Sequence, residues 1–108
     1  MEDIKTIALF GDAQKLESRI LKDPEEIHRA DANGWTVLHE ASRSGRLETV
    51  KTLLKHGASE NLLTYTGVTP LNIARQFLKG DHELIAFLES IDAKDISPSR
   101  SKKRHEEL

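Results

Sequence analysis

The sequence contains no cysteine, which removes disulfides, thiolate zinc sites and cysteine nucleophiles together. It has no apolar run approaching the ~20 residues that a bilayer-spanning helix needs. Its opening, Met1 to Gly11, lacks the basic start and the longer apolar segment of a secretory signal. Positive charge is not in excess: the net charge is -2 and the pI is near 6.2, which argues against nucleic acid or a membrane surface as the main partner. No serine stands in a G-x-S-x-G frame, and no glycine run resembles a phosphate cradle. What remains is a chain of 108 residues, room for one domain, expected to be soluble and to reside in the cytosol or nucleus.

What is present is repetition. Aligning Gly34 with Gly67 keeps Thr36 with Thr69, Leu38 with Leu71 and Ala41 with Ala74, all at a spacing of 33. After an insertion of two residues the match resumes, pairing Gly45 with Gly80, Val50 with Ile85, Leu53 with Leu88 and Ala58 with Ala93. A fainter copy lies upstream, with Gly11, Leu16 and Ile20 each 34 residues before Gly45, Val50 and Leu54. A period near 33 is the length of one helix-turn-helix-loop unit.

Local chemistry supports that unit. Thr36 and Thr69 are placed to cap the first helix of a pair, and Pro70 stands at the first helical position, where it has no amide hydrogen to lose. Ala41 and Ala74 are small where helix pairs must approach closely, and Val50, Leu53 and Leu54 form an apolar stripe at helical spacing. Gly57 follows Lys55 and His56 at a helix end, where glycine takes the left-handed conformation and cations suit the helix dipole. Gly34 and Gly67 lie in polar stretches that read as turn tips. Residues 3–10 and 13–22 read as a first helical pair: Ile4, Ile7 and Ala8 share one face, Leu16, Ile20 and Leu21 another, and Gly11-Asp12 makes the turn. Asp23-Pro24 stops the second of these helices, and Ile27 is placed to plug the gap beneath. His82 to Leu88 forms an apolar-rich closing helix. From Ser97 only the terminal Leu108 is apolar, so residues 96–108 read as a disordered polar tail.

The run from Gly34 through Trp35-Thr36-Val37-Leu38-His39-Glu40-Ala41, then Gly45, Val50, Leu53-Leu54 and Gly57-Ala58, resembles the ankyrin repeat; Gly67, Thr69-Pro70-Leu71, Ala74 and Gly80 carry the resemblance into the next unit. It departs from that family's pattern at Val37, where proline is usual, at Asn72, where histidine is usual, and at Asp92, where glycine is usual. Such departures suit a short array with irregular ends. The resemblance implies an all-α ankyrin solenoid over residues 1–95, with repeats near 1–30, 31–63 and 64–95. It also implies that His39 bonds the cap threonine and a neighbouring repeat's backbone.

Candidate chemistry is thin beside this. His39-Glu40 invites comparison with the H-E-x-x-H zinc helix, but the fifth position is Arg43 and the second ligand is missing. His28, His56, His82 and His105 show no ligand spacing, so no metal is expected. Glu25-Glu26 and Glu106-Glu107 read as solvated faces. A short solenoid offers a groove with no deep pocket in which to place a carboxylate pair, so no catalytic residues and no cofactor are expected.

The resemblance implies a concave, partner-binding face. Carried over, its positions are Ala32, Asn33, Trp35, Arg43 and Ser44 in the central unit and Tyr65, Thr66, Val68, Gln76 and Phe77 in the next. Trp35, Tyr65 and Arg43 are of the types in which interface hot spots are enriched. The competing reading folds Trp35 over the adjacent tip and puts Phe77 in the core. In the tail, Ser97-Pro98 could accept a proline-directed phosphate. Arg100 to Arg104 resembles an import or anion-binding patch, and His105-Glu106-Glu107-Leu108 resembles an endoplasmic-reticulum retrieval tetrapeptide, which would require that a leader was removed. The sequence thus supports a monomeric, non-enzymatic module that binds another protein. The alternative is an accessory domain of a larger, prolyl-hydroxylase-like enzyme in the endoplasmic reticulum.

Overall fold

None of the helical segments is long enough to hold together in water alone, so each begins on a side chain that collects its free amides or leans on a neighbour. The computed structural model describes residues 3–91, and among them are six α-helices and no strand: α1 Ile4–Phe10, α2 Ala13–Lys22, α3 Val37–Ser44, α4 Leu47–Lys55, α5 Pro70–Phe77 and α6 Glu83–Ser90. The Asp3 and Asp12 carboxylates accept the amides of Lys5 and Lys15 at the starts of α1 and α2. At α5 the exchange is reciprocal, Thr69 Oγ1 accepting from the Asn72 amide at 3.1 Å and Asn72 Oδ1 from the Thr69 amide at 3.2 Å. His82 Nδ1 accepts the Leu84 amide to open α6. The Asp23-Pro24 break becomes a single 3-10 turn, Pro24–His28, which buries Ile27. The sequence features of the tail, and Ala93 and Asp92, lie outside the described residues.

The helices pair in chain order and stack in two layers, α1 on α3 on α5 inside and α2 on α4 on α6 outside. Ala8, Ala41 and Ala74, each 33 residues after the last, have no exposed surface, so the inner helices meet where no side chain holds them apart. Between the layers run Leu16, Ile20, Val50, Leu53, Leu84 and Leu88, all buried, with Leu54 at the margin. The first junction is held at its surface by charge, Lys5 Nζ to Asp31 at 3.1 Å and Lys55 Nζ to Glu17 at 3.2 Å, and by the His56 ring, whose Nε2 lies 2.7 Å from the same Glu17 carboxylate. Arg46 Nε also donates to the Leu9 carbonyl across it, at 2.8 Å.

Two expectations are corrected. Leu21 does not share the buried face of α2 and is 70% exposed; at 3.6 residues per turn it lies well off the stripe of Leu16 and Ile20. Gly80 is not the structural equivalent of Gly45. Gly45 closes α3 in the left-handed region, φ 73°, whereas α5 ends at Leu78 in extended backbone and Gly80 is not among the glycines with positive φ. The two inserted residues let the chain walk from α5 to α6 without a left-handed turn.

His39 ties the start of α3 to the loop that closes its own repeat, since its carbonyl partner Leu62 falls within 31–63 and not in the neighbouring repeat that the resemblance implied. It is fully buried; Nδ1 lies 3.0 Å from the Thr36 amide nitrogen and 2.9 Å from its hydroxyl, and Nε2 lies 3.0 Å from the Leu62 carbonyl oxygen. A carbonyl only accepts and an amide only donates, so the proton sits on Nε2, Nδ1 accepts from both Thr36 groups, and the ring is neutral. Burial holds its pKa below the ordinary 6.5.

Two measurements check this account. Leu53→Ala should cost about 2 to 5 kcal/mol by opening a cavity, while Leu21→Ala should stay within about 0.5 kcal/mol; equal losses in chemical denaturation would contradict the layer assignment. For His39, above pH 6.5 both states are neutral and its titration contributes nothing. Below it the unfolded chain takes a proton that the folded chain refuses, so stability falls with pH. The thermal midpoint should therefore drop between about pH 7 and pH 5. In His39→Asn, which copies Asn72 at the matching position, that slope should flatten although the midpoint is lower throughout.

Candidate functional site

The candidate site begins with two turns. In the first, Asp31 folds the tip around its carboxylate: Oδ1 accepts the amides of Asn33 at 2.9 Å and Trp35 at 3.0 Å, and the Gly34 amide returns to the Asp31 carbonyl. These amides, with Lys5 alongside, hold the Asp31 pKa below the ordinary carboxylate range. Thirty-three residues on, the Thr64 hydroxyl does the same work with less charge, accepting the Val68 amide at 3.2 Å and lying 3.0 Å from the Thr66 hydroxyl. The Tyr65 amide donates to the Asn33 carbonyl at 3.0 Å, tying the two tips together.

Beside them lies a concavity of about 340 Å³. Asn33 and Trp35 reach it from the first tip and Thr64, Thr66 and Val68 from the second. Ile73, Gln76 and Phe77 come from α5, where a spacing of three and four puts them on one helix face. Ile73 and Thr64 are buried, Trp35 and Val68 half-buried, and Asn33, Thr66, Gln76 and Phe77 exposed, so the list runs from bottom to mouth. The Trp35 ring rests 5.6 Å from that of His39 at a tilt of 38°, which fixes one wall to that buried ring. No lining side chain is charged.

Six of the ten residues named from the sequence thus share one cleft: Asn33, Trp35, Thr66, Val68, Gln76 and Phe77. Four do not line it. Ala32 is exposed on its tip. Tyr65 is 75% exposed, with its ring turned against Gly34. Arg43 and Ser44 are both bonded to the Glu40 carboxylate, at 2.6 and 3.2 Å. They are the counterparts of Gln76 and Phe77 one period earlier, but among the described residues the unit before them has no glycine tip to close a second cleft. The cluster of Trp35, Tyr65 and Arg43 is therefore not assembled at this cleft, which Trp35 alone of the three lines. Phe77 is 54% exposed and is not core: it is the last residue of α5, past the buried Leu71, Ile73 and Ala74. Sequence reasoning missed Thr64 and Ile73. The available signals were the alignment of Thr64 with Asp31 and the place of Ile73 one turn before Phe77.

A larger concavity, about 410 Å³, lies between α2 and the 3-10 turn and includes Lys15, Arg19, Lys22, Asp23 and Glu26. Arg19 and Glu26 form an ion pair at 2.9 Å across it, and Asp23 is engaged by Arg29 at 3.1 Å, so its charges are largely answered from within. As for metals, both ring nitrogens of His39 are committed to hydrogen bonds and neither has a lone pair to offer.

Comparison with known proteins agrees with this architecture. A family model described as ankyrin repeats in three copies matches residues 6–97. Among curated proteins, the chain is 31% identical over 83 residues to a transient receptor potential cation channel subfamily A member 1 homolog of Caenorhabditis elegans, a match covering 77% of this chain and 7% of the channel. It is 28% identical over 106 residues to the tyrosine-protein kinase HTK16 of Hydra vulgaris, covering 97% of this chain and 14% of the kinase. It is 39% identical over 64 residues to protein phosphatase 1 regulatory subunit 27 of Mus musculus, covering 59% and 42%. The chain thus spans a small part of the length of the first two.

The equivalence of Gly34 and Gly67 supplies a test of the tip geometry. Both have positive φ, 77° and 82°, so a side chain at either costs about 1 to 2 kcal/mol in backbone strain. At Gly34 an added Cβ would also lie 2.6 Å from the Tyr65 backbone nitrogen, whereas at Gly67 nothing lies within 4 Å. Gly34→Ala should therefore lower the thermal midpoint clearly more than Gly67→Ala; equal effects would mean that the tips do not meet as described.

Proposed function

The chain belongs to the ankyrin-repeat family, whose repeats are protein-interaction modules and generally non-catalytic, and from that premise we propose that it binds a partner protein in the cleft between its two glycine tips. The observation that carries this is the convergence of Trp35, Val68, Ile73 and Phe77 on one concavity while Phe77 stays more than half exposed. An aromatic residue left in water beside a second aromatic wall gains on being covered, and a preformed cleft costs little to order. The module acts as an adaptor, scaffold or competitive inhibitor, as a monomer, and has no chemistry of its own.

A second reading is favoured by the lengths of the relatives: the matched segment is 7% of a channel and 14% of a kinase. In that reading the same cleft serves as the recognition part of a larger protein, an enzyme included.

One experiment addresses both. Native extract is passed over the wild-type chain, over Trp35→Ala with Phe77→Ala, and over Glu25→Ala on the exposed 3-10 turn, all three shown by circular dichroism to be equally helical. A protein retained by the wild type and Glu25→Ala but lost from the double variant supports the cleft; equal retention by all three sinks it. An antibody to the domain, used on the same extract, reads out the native mass: a band well above 12.2 kDa selects the second reading.

A further inference from the structure

Nearly a third of this chain is charged, 31% by composition, yet the cleft is lined without a single charged side chain. Its bottom is Ile73 with Val68 above it, its walls are the rings of Trp35 and Phe77, and the hydroxyls of Thr64 and Thr66 are turned on each other. Polar capacity remains at the mouth only: among the described residues the carboxamides of Asn33 and Gln76 make no hydrogen bond within the chain, and each offers a donor and an acceptor. At about 340 Å³ the cleft falls at the small end of ligand-holding concavities, enough for one or two side chains and too little for a folded edge.

We infer, resting on the reading of this cleft as the partner site, that its occupant is an extended peptide segment which inserts one uncharged aliphatic or aromatic side chain between Trp35 and Phe77 and lays its backbone amides against Asn33 and Gln76. A charged anchor is excluded by cost: it would lose its water to a site with no counter-ion and no dedicated donors at depth. The division of labour is an apolar anchor that supplies affinity and a polar rim that fixes direction. Binding is then nearly independent of salt, because no ion pair is made that salt could screen.

The chain has one tryptophan, Trp35, so its emission reports on this cleft alone. A phage-displayed library of unstructured peptides is selected on the full chain, and the selected sequences are resynthesised and titrated by tryptophan fluorescence at low and high salt. Selected peptides should share leucine, isoleucine, methionine or phenylalanine at one position, shift the Trp35 emission, and bind alike at both salt concentrations. Val68→Glu, which puts a carboxylate against the anchor, should weaken them by about tenfold or more; should that variant lose its helicity, Gln76→Glu at the exposed mouth replaces it. A shared lysine, arginine, aspartate or glutamate with salt-sensitive binding, Trp35 still responding, overturns the anchor chemistry and leaves the site standing. Peptides that bind without moving Trp35 emission, and equally to Trp35→Ala with Phe77→Ala, overturn the site itself. Failure to select any peptide overturns the extended-segment inference and leaves only a folded partner for the cleft.

Discussion

The whole structure depends on the fact that a helix of seven to ten residues cannot stand alone in water. Every helix here is that short, and every one is stable only because its apolar face meets the faces of neighbours in its own unit and the next. The three buried alanines at intervals of 33 are what permits this contact. A larger residue at the fully buried Ala41 would have to displace its neighbours in the core. Stability in such an array is a sum of weak units and the interfaces between them, and with two interfaces no unit is spare.

The bonds that hold the array are made of different materials. Around His39 the bonds are neutral, buried and directional: one imidazole gathers the Thr36 amide and hydroxyl and hands its own hydrogen to Leu62 of the following loop. That arrangement also braces the Trp35 ring, so the wall of the proposed binding cleft is set by the same group that pins α3 to the loop closing its repeat. Scaffold and site are not separable at this point. In the third unit Asn72 keeps the capping exchange with Thr69 without a titrating ring.

Much of this architecture is legible in the sequence because its instructions are local. Thr36, Thr69 and Pro70 say where helices start, Gly11, Gly34, Gly45, Gly57 and Gly67 say where the chain turns with positive φ, and a period of 33 says that units stack. What was not legible depends on geometry between units or on rivals for the same atom. Leu21 looks apolar enough for the core and is excluded only by its angle on α2. Gly80 aligns with Gly45 but the insertion relieves it of the turn. Arg43 and Tyr65 have the composition of hot spots but do not line the cleft: Arg43 pairs with Glu40 one turn away and the Tyr65 ring lies against Gly34. Thr64 and Ile73 went unnoticed for the opposite reason, since both look like pure scaffold until the tips are folded together around them.

The ion pairs at the first junction have a consequence for how the array comes apart. Lys5 with Asp31, and Lys55 with Glu17, lie at least partly in water, where dissolved ions weaken them. The second junction is crossed by the Tyr65 amide bond to Asn33, which ions do not screen, and by Lys51 lying 5.4 Å over the Phe87 ring. Ionic strength therefore acts chiefly on the amino-terminal seam, where carboxylates face cations, and reaches the next seam only through one cation over a ring, while the backbone bond that ties the two tips beside the cleft is left unscreened.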